Sequence, residues 1–226
     1  MNTNQITKLL NLLNENKLEE LKKELTQHLL SKSDKPKADL LKAVKNFLAY
    51  SLKLNGDSRP TLSTVQHKND KQFILSGYSA FLFENYIKEL DELPNTDAET
   101  SLNIYQIINN NAEYNQISED DALIFKNIKK YIAYFKSQEN YDKKANKQFV
   151  YFNNKTFDAK LIAQANEIMA NNLDNLEITN NEFFRPTQIK NNEILGIILP
   201  IRATEEISNN TKELTNKFLN ELKGAN

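Results

Sequence analysis

Between about residue 37 and residue 202 the chain alternates apolar stripes of helical period with short β-prone runs, which restricts it to a mixed architecture. Leu40, Leu41, Val44, Phe47 and Leu48 share one helix face, and Lys42, Lys45 and Lys53 fall opposite. Asn55-Gly56-Asp57 is a turn signal, after which Thr61–His67, Gln72–Ser76 and Ala80–Glu84 read as strands. Asn69-Asp70 suits a hairpin turn between the first two. Residues 94–118, rich in Asn, Thr and Ser, read as a connector that can divide the region into two subdomains near 95–118. Ser118-Glu119-Asp120-Asp121 resembles a capping box, with Ser118 as N-cap and Asp121 reaching back. The helix it opens carries Phe125, Ile128, Ile132 and Phe135 on one stripe. Gln148–Phe152 reads as a strand, and a helix is expected from about Phe157 to Ala170 with Thr156 as N-cap. Asn175–Thr179, Thr187–Lys190 and Ile194–Ile201 complete the strands. The expected class is α+β.

Both ends are expected to be helical. Leu9, Leu10 and Leu13, then Leu18, Leu21, Leu25 and Leu29, mark two helices broken at Asn14-Glu15-Asn16, so residues 1–36 read as a helical hairpin and linker. In residues 203–226, Leu214, Phe218 and Leu222 recur every four positions and Gly224 is placed just past the helix end.

Much chemistry is excluded by what is missing. The chain has no Cys, so disulfides and thiolate metal sites are ruled out. Its four glycines (Gly56, Gly77, Gly196, Gly224) are too far apart for a phosphate-cradling loop. Gly77-Tyr78-Ser79-Ala80-Phe81 lacks the last glycine of a nucleophile elbow. His28 and His67 belong to no metal-spaced pair and read as structural or surface residues. The Glu119-Asp120-Asp121 cluster has the composition of a cation or acid–base site, but acids in a first helical turn also favour the macrodipole. No catalytic residue, metal or cofactor is therefore assigned, and a non-enzymatic protein is expected. The longest apolar run, Gly196–Ile201, falls far short of the roughly 18 residues of a membrane span. Met1-Asn2-Thr3-Asn4 shows no basic region leading into an apolar stretch, so a cytoplasmic protein without membrane association is expected. The 33 asparagines read as genome bias rather than function.

One electrostatic pattern stands out. The chain carries a net charge of -1, yet Lys126, Lys129, Lys130, Lys136, Lys143, Lys144 and Lys147 face only Glu139 and Asp142 over their stretch, a local +5. On one continuous helix, Lys126, Lys129, Lys130 and Lys136 share an arc centred about 125° from the apolar stripe. Such a patch can track phosphates without reading sequence. It is also the pattern of a plain solvated lysine face on an amphipathic helix, and composition alone favours that plainer reading.

A lysine-faced helix, then Ser58-Arg59-Pro60-Thr61-Leu62 opening a strand, then a hairpin, resembles the bacterial sliding clamp (the β subunit of the replicative polymerase) and its phage relatives. The family's following D-G-x-R-L segment corresponds to Ser76-Gly77-Tyr78-Ser79-Ala80, which keeps the Gly and loses the Asp and Arg. Pro94-Asn95 and Asn103 to Ile108 loosely resemble its connector. Phe152 to Leu161 is similar to the F-N-x-x-Y-L segment before the last inner helix, and Ile194 to Arg202 to the terminal strand ending in M-P-M-R. The resemblance covers about 37–202. That is too short for three domains, and the family has no counterpart to either terminal extension.

The resemblance implies helices lining a hole, with sheets forming an outer rim and subunits joined edge to edge around duplex DNA. Lys42, Lys45, Lys126, Lys129, Lys130 and Lys136 would then meet DNA phosphates without base readout. Leu199, Pro200, Ile201 and Arg202 would border a groove for replicative polymerase or clamp-loader peptides. The expectation is a clamp-like processivity or recruitment factor in DNA replication, acting as a homo-oligomer. The alternative is a helical adaptor or inhibitor that uses a clamp-like fold to bind protein.

Overall fold

The computed structural model describes residues 38–56, 59–96, 103–106, 108, 112–138, 148–170, 173, 175–179 and 185–224. The expected N-terminal hairpin (1–36), His28, and Lys143, Lys144 and Lys147 lie outside them. The chain divides into two units, Met1–Lys42 and Ala43–Asn226. The architecture is mixed, with an eight-stranded, mostly antiparallel sheet, a two-stranded hairpin and five α-helices among the described residues.

Helix α1 covers 38–55. A 3-10 turn at Pro60–Ser63 then leads into β1 (Val65–Lys68), β2 (Lys71–Leu75) and β3 (Ser79–Phe83). The β1–β2 hairpin turns at Asn69-Asp70, with φ of 50° and 60°. Two successive positive φ values define the turn whose twist matches the flanking strands, and Asn and Asp tolerate them. The expected first strand loses its N-terminal half to that 3-10 turn, because Pro60 fixes the local φ and offers no N–H to a ladder.

Further along are β4 (Asn95–Thr96), β5 (Tyr114–Gln116), α2 (Glu119–Lys126) and α3 (Ile128–Ser137). Next come β6 (Phe149–Phe152), β7 (Lys155–Asp158) and α4 (Ala159–Met169). The chain continues through β8 (Glu177–Thr179), β9 (Thr187–Lys190), β10 (Ile194–Ile198) and α5 (Glu205–Gly224). Gly224 is the last helical residue rather than the one beyond it. Thr156 and Phe157 extend β7 instead of opening a helix, because the Asn153-Asn154 turn folds them back onto Tyr151 and Val150. The N-cap is therefore Asp158, whose carboxylate accepts the Lys160 N–H at 2.9 Å.

The large sheet runs β4-β1-β2-β3-β10-β9-β8-β5. Among the described residues only the β1–β4 pair is parallel. Its topology repeats itself. A helix (α1) precedes the antiparallel meander β1-β2-β3, and a helix (α4) precedes the antiparallel meander β8-β9-β10. The last strands of the two meanders, β3 and β10, pair antiparallel at the centre, with Gly196 opposite Phe81. Segments on both sides of the 95–118 connector thus share one sheet.

The two faces of the sheet are covered differently. On one, Phe73, Leu75, Ala80, Leu82, Leu195 and Ile197 form a buried cluster closed by Leu62 and by Ile104 of the connector. On the other, Phe47 of α1 meets Phe81 edge-on at 5.4 Å. Ser51 anchors the same helix by donating to the Leu62 carbonyl. Helix α4 packs on β10 and β7 and supplies no member of the connector-side cluster, so both helices lie over the Phe81 face.

Candidate nucleic-acid interface and apolar pocket

The lysine segment begins at a well-capped helix. Ser118 Oγ accepts the Asp121 N–H at 3.1 Å and donates to its carboxylate at 2.7 Å. The other oxygen of Asp121 accepts the Asn153 N–H at 2.8 Å, tying α2 to the β6–β7 turn. The expected single helix is broken at Asn127, which sits at φ -110° and ψ 18°. The Asn127 side chain donates to the Leu123 carbonyl at 3.0 Å, ending α2, and its own carbonyl accepts the Tyr131 N–H to start α3. The break places Lys126 on α2 and Lys129, Lys130 and Lys136 on α3.

Ile124, Phe125, Ile128 and Tyr131 hold this helix pair in place. Phe125 stacks on Phe152 of β6 at 6.0 Å, and Tyr131 meets Phe218 of α5 at 5.3 Å. The Tyr131 hydroxyl donates to the Phe149 carbonyl at 2.8 Å, and burial pushes its pKa up to about 12. With the apolar side fixed inward, Lys126, Lys129, Lys130 and Lys136 are all exposed. Lys129 reaches Glu167 of α4 at 2.7 Å, a surface pair worth about 0–1 kcal/mol. On α1, Lys42 and Lys45 are also exposed. Helix α4 carries a single cation, Lys160, and α2 and α3 pack over it.

The segment after β10 lies where a small apolar pocket opens. Leu199 N–H donates to the Tyr78 carbonyl and Ile201 N–H to the Thr156 carbonyl, each at 2.9 Å. A pocket of about 130 Å³ is lined by Leu75, Tyr78, Ala80, Pro186, Ile197 and Leu199. Of the four expected groove residues only Leu199 lines it. Pro200 and Ile201 are half-buried beside it, and Arg202 is exposed. Tyr78, 55% exposed, stands at the rim on a turn that Gly77 permits with φ of 88°. Sequence reasoning missed Tyr78 and Pro186. The available signal was the Gly77 turn, read as a failed nucleophile elbow and as the counterpart of the D-G-x-R-L segment but not as a pocket rim.

Other titratable groups have structural tasks. Asp120 pairs with Lys223 at 2.5 Å, so two of the three clustered acids at the start of α2 are engaged within the chain. Among the described residues no group of three or more His, Asp or Glu side chains is arranged to hold a metal. His67 shares a hydrogen bond with Asn95 at 3.1 Å and lies 3.9 Å from Asp91. Lys155 is buried, donating to the Arg185 carbonyl at 3.2 Å and the Thr187 hydroxyl at 3.3 Å, and burial lowers its pKa. Burial raises the Asp158 carboxyl above its ordinary value, opposed by its bond to the Lys160 N–H. None of these groups lines the apolar pocket. No helix among the described residues is long and apolar enough to cross a membrane. No family model matches the chain, and no curated protein or solved structure matches it significantly.

Proposed function

We propose that this chain is a non-enzymatic, clamp-like DNA-associated processivity or recruitment factor. The observation that carries the reading is the repeated helix-plus-meander topology, with both helices over one face of a continuous sheet. That is the arrangement the sliding-clamp resemblance implies for one domain. Lysines on α1, α2 and α3 are the cations available to DNA. With α4 covered, the DNA-facing surface falls to α1 and the α2–α3 pair, through Lys45, Lys126, Lys129, Lys130 and Lys136. Among the described residues β5 is the terminal strand at one end of the sheet, an edge at which copies could join. The Leu199–Tyr78 pocket would receive an apolar side chain from a polymerase or loader peptide.

The test is a triple reversal, Lys126→Glu, Lys129→Glu and Lys130→Glu, in the full chain. Affinity for duplex DNA is expected to fall, and the log–log salt slope to drop by up to about 2.7, near 0.9 per lost phosphate contact. The circular dichroism spectrum should be unchanged. Unaltered DNA association in that variant would overturn the lysine assignment. A protein that stays monomeric at high concentration and is not retained on closed circular DNA would overturn the ring. A second reading, an adaptor that uses the fold for protein binding, draws on α5, an element the clamp does not need. It predicts partner capture unaffected by the reversal.

A further inference from the structure

Helix α5 covers the outer edge of β6 in an unusual way. β6 pairs with β7 on one side only, leaving Tyr151 N–H and the Phe149 carbonyl pointing outward. Neither meets another strand. Tyr151 N–H donates to the Thr215 hydroxyl of α5 at 3.1 Å, and the Phe149 carbonyl accepts from the Tyr131 hydroxyl at 2.8 Å. The two hydroxyls lie 3.2 Å apart, so side chains stand in for the missing ladder.

The rest of the α5 seam is also rich in hydroxyls. Thr204 caps the helix by accepting the Ile207 N–H, Ser208 Oγ meets Thr156 Oγ1 at 3.1 Å, and Thr211 is buried on the same stripe. Only Phe218 and Leu219 are buried apolar residues of this 20-residue helix. A polar cleft of about 230 Å³ opens within the seam, lined by Asp120, Asp121, Tyr151, Asn154, Lys212 and Thr215. At the far end the seam is closed by the exposed Lys223–Asp120 pair. Phe218 against Tyr131 and Tyr134 is the seam's aromatic anchor, and the hydroxyl contacts, polar cleft and surface ion pair along the rest of it are the construction of a reversible interface.

We propose that α5 is a releasable strap that opens as one unit and uncovers the β6 edge while the eight-stranded sheet stays intact. Release of α5 would free the Tyr151 N–H while Tyr131 of α3 still holds the Phe149 carbonyl, and an edge with an unpaired N–H is a template for strand pairing, so the docked helix holds it in a protected state. This inference is independent of the DNA reading, since neither the strap nor its seam includes a lysine assigned to DNA.

Hydrogen exchange of the full chain at neutral pH tests it. Amides of 205–224 and of Tyr151 are expected to exchange together, well before those of β3 and β10. Thr215→Val, which removes the acceptor for Tyr151 N–H at nearly constant shape, should speed both sets about tenfold. The chain has no cysteine, so Asp120→Cys with Lys223→Cys, joined by a short bis-maleimide, gives a strapped form that needs no weakened variant. Joining the pair should slow exchange in 205–224 and at Tyr151 and leave β3 and β10 unchanged. Exchange of 205–224 only together with β3 and β10, or unaltered Tyr151 exchange in the joined form, would overturn the proposal.

Discussion

Gly196 sits at the centre of β10, opposite Phe81 on one side and Ile189 on the other. A Cβ there would lie 3.1 Å from Phe81 Cε1, 3.2 Å from Phe81 Cδ1 and 3.2 Å from Ile189 Cγ2. The Phe81 ring cannot simply retreat, because Phe47 stands edge-on against it at 5.4 Å and 86°. Two effects of Gly196→Ala therefore oppose each other. Restricting the unfolded chain favours alanine by about 0.5–1 kcal/mol. Three simultaneous contacts inside ordinary van der Waals distance cost about 1–3 kcal/mol. Position 196 is already buried, so the methyl removes little further surface from water. The clash wins, and a net loss of about 1 kcal/mol is expected, seen as a lower urea midpoint at unchanged slope and a Tm lower by about 2–4 °C. Phe81→Leu in the same background should relieve the clash. The double variant should be less destabilised than the sum of the singles by about 0.5 kcal/mol or more. A stabilised Gly196→Ala protein, or strict additivity in the cycle, would refute the claim that the glycine exists to admit the Phe81 ring.

Three other outcomes follow from local geometry. Asp158→Asn keeps an N-cap and removes a carboxyl whose pKa burial raises above 3.8, whereas Asp158→Ala removes the cap at about 0.5–2 kcal/mol in chemical denaturation. Because the folded state holds that proton more tightly, wild-type stability should fall relative to Asp158→Asn as pH rises from 3.8 through the raised value. Lys155 has the opposite sign. Its folded pKa lies below 10.5, so the unfolded chain binds more protons in that window, and wild type should gain on Lys155→Met as pH rises towards 10.5 in urea melts. At the β6–β7 turn, Asn154 has φ of 58°. Asn154→Gly should hold or raise the thermal midpoint, while Asn154→Val should lower stability by about 1–2 kcal/mol.

What was legible in the sequence was local. The Asn69-Asp70 turn, the Ser118 box and the Thr187–Lys190 strand each depend on side chains within a few residues of one another, and each is found where its chemistry placed it. The break at Asn127 was hidden because the apolar stripe continues across it from Phe125 to Ile128, and only a side-chain bond to the Leu123 carbonyl ends α2. The Asn153-Asn154 turn was hidden by abundance, since asparagine is so frequent here that one more pair carried no contrast. Residues 94–118 were read only as a connector, yet Ile104 is buried and closes one sheet face. The repeated helix-and-meander topology left no sequence repeat to detect. As for the lysines, their exposure follows from the apolar residues beside them, whereas their distribution over two helices required the fold.

The central β3–β10 pairing has a consequence for how the protein is made. All five residues of β3 are buried, and one of its two neighbours, β10, begins at Ile194. During synthesis the first meander is complete while β10 is still more than a hundred residues from leaving the ribosome. At ordinary translation rates that delay is on the order of ten seconds. Through that interval an apolar strand, Ser79-Ala80-Phe81-Leu82-Phe83, presents an unpaired edge with no charge or proline to blunt it. The nascent chain is thus most vulnerable to association with other chains after its first meander has folded and before β10 emerges to pair with β3.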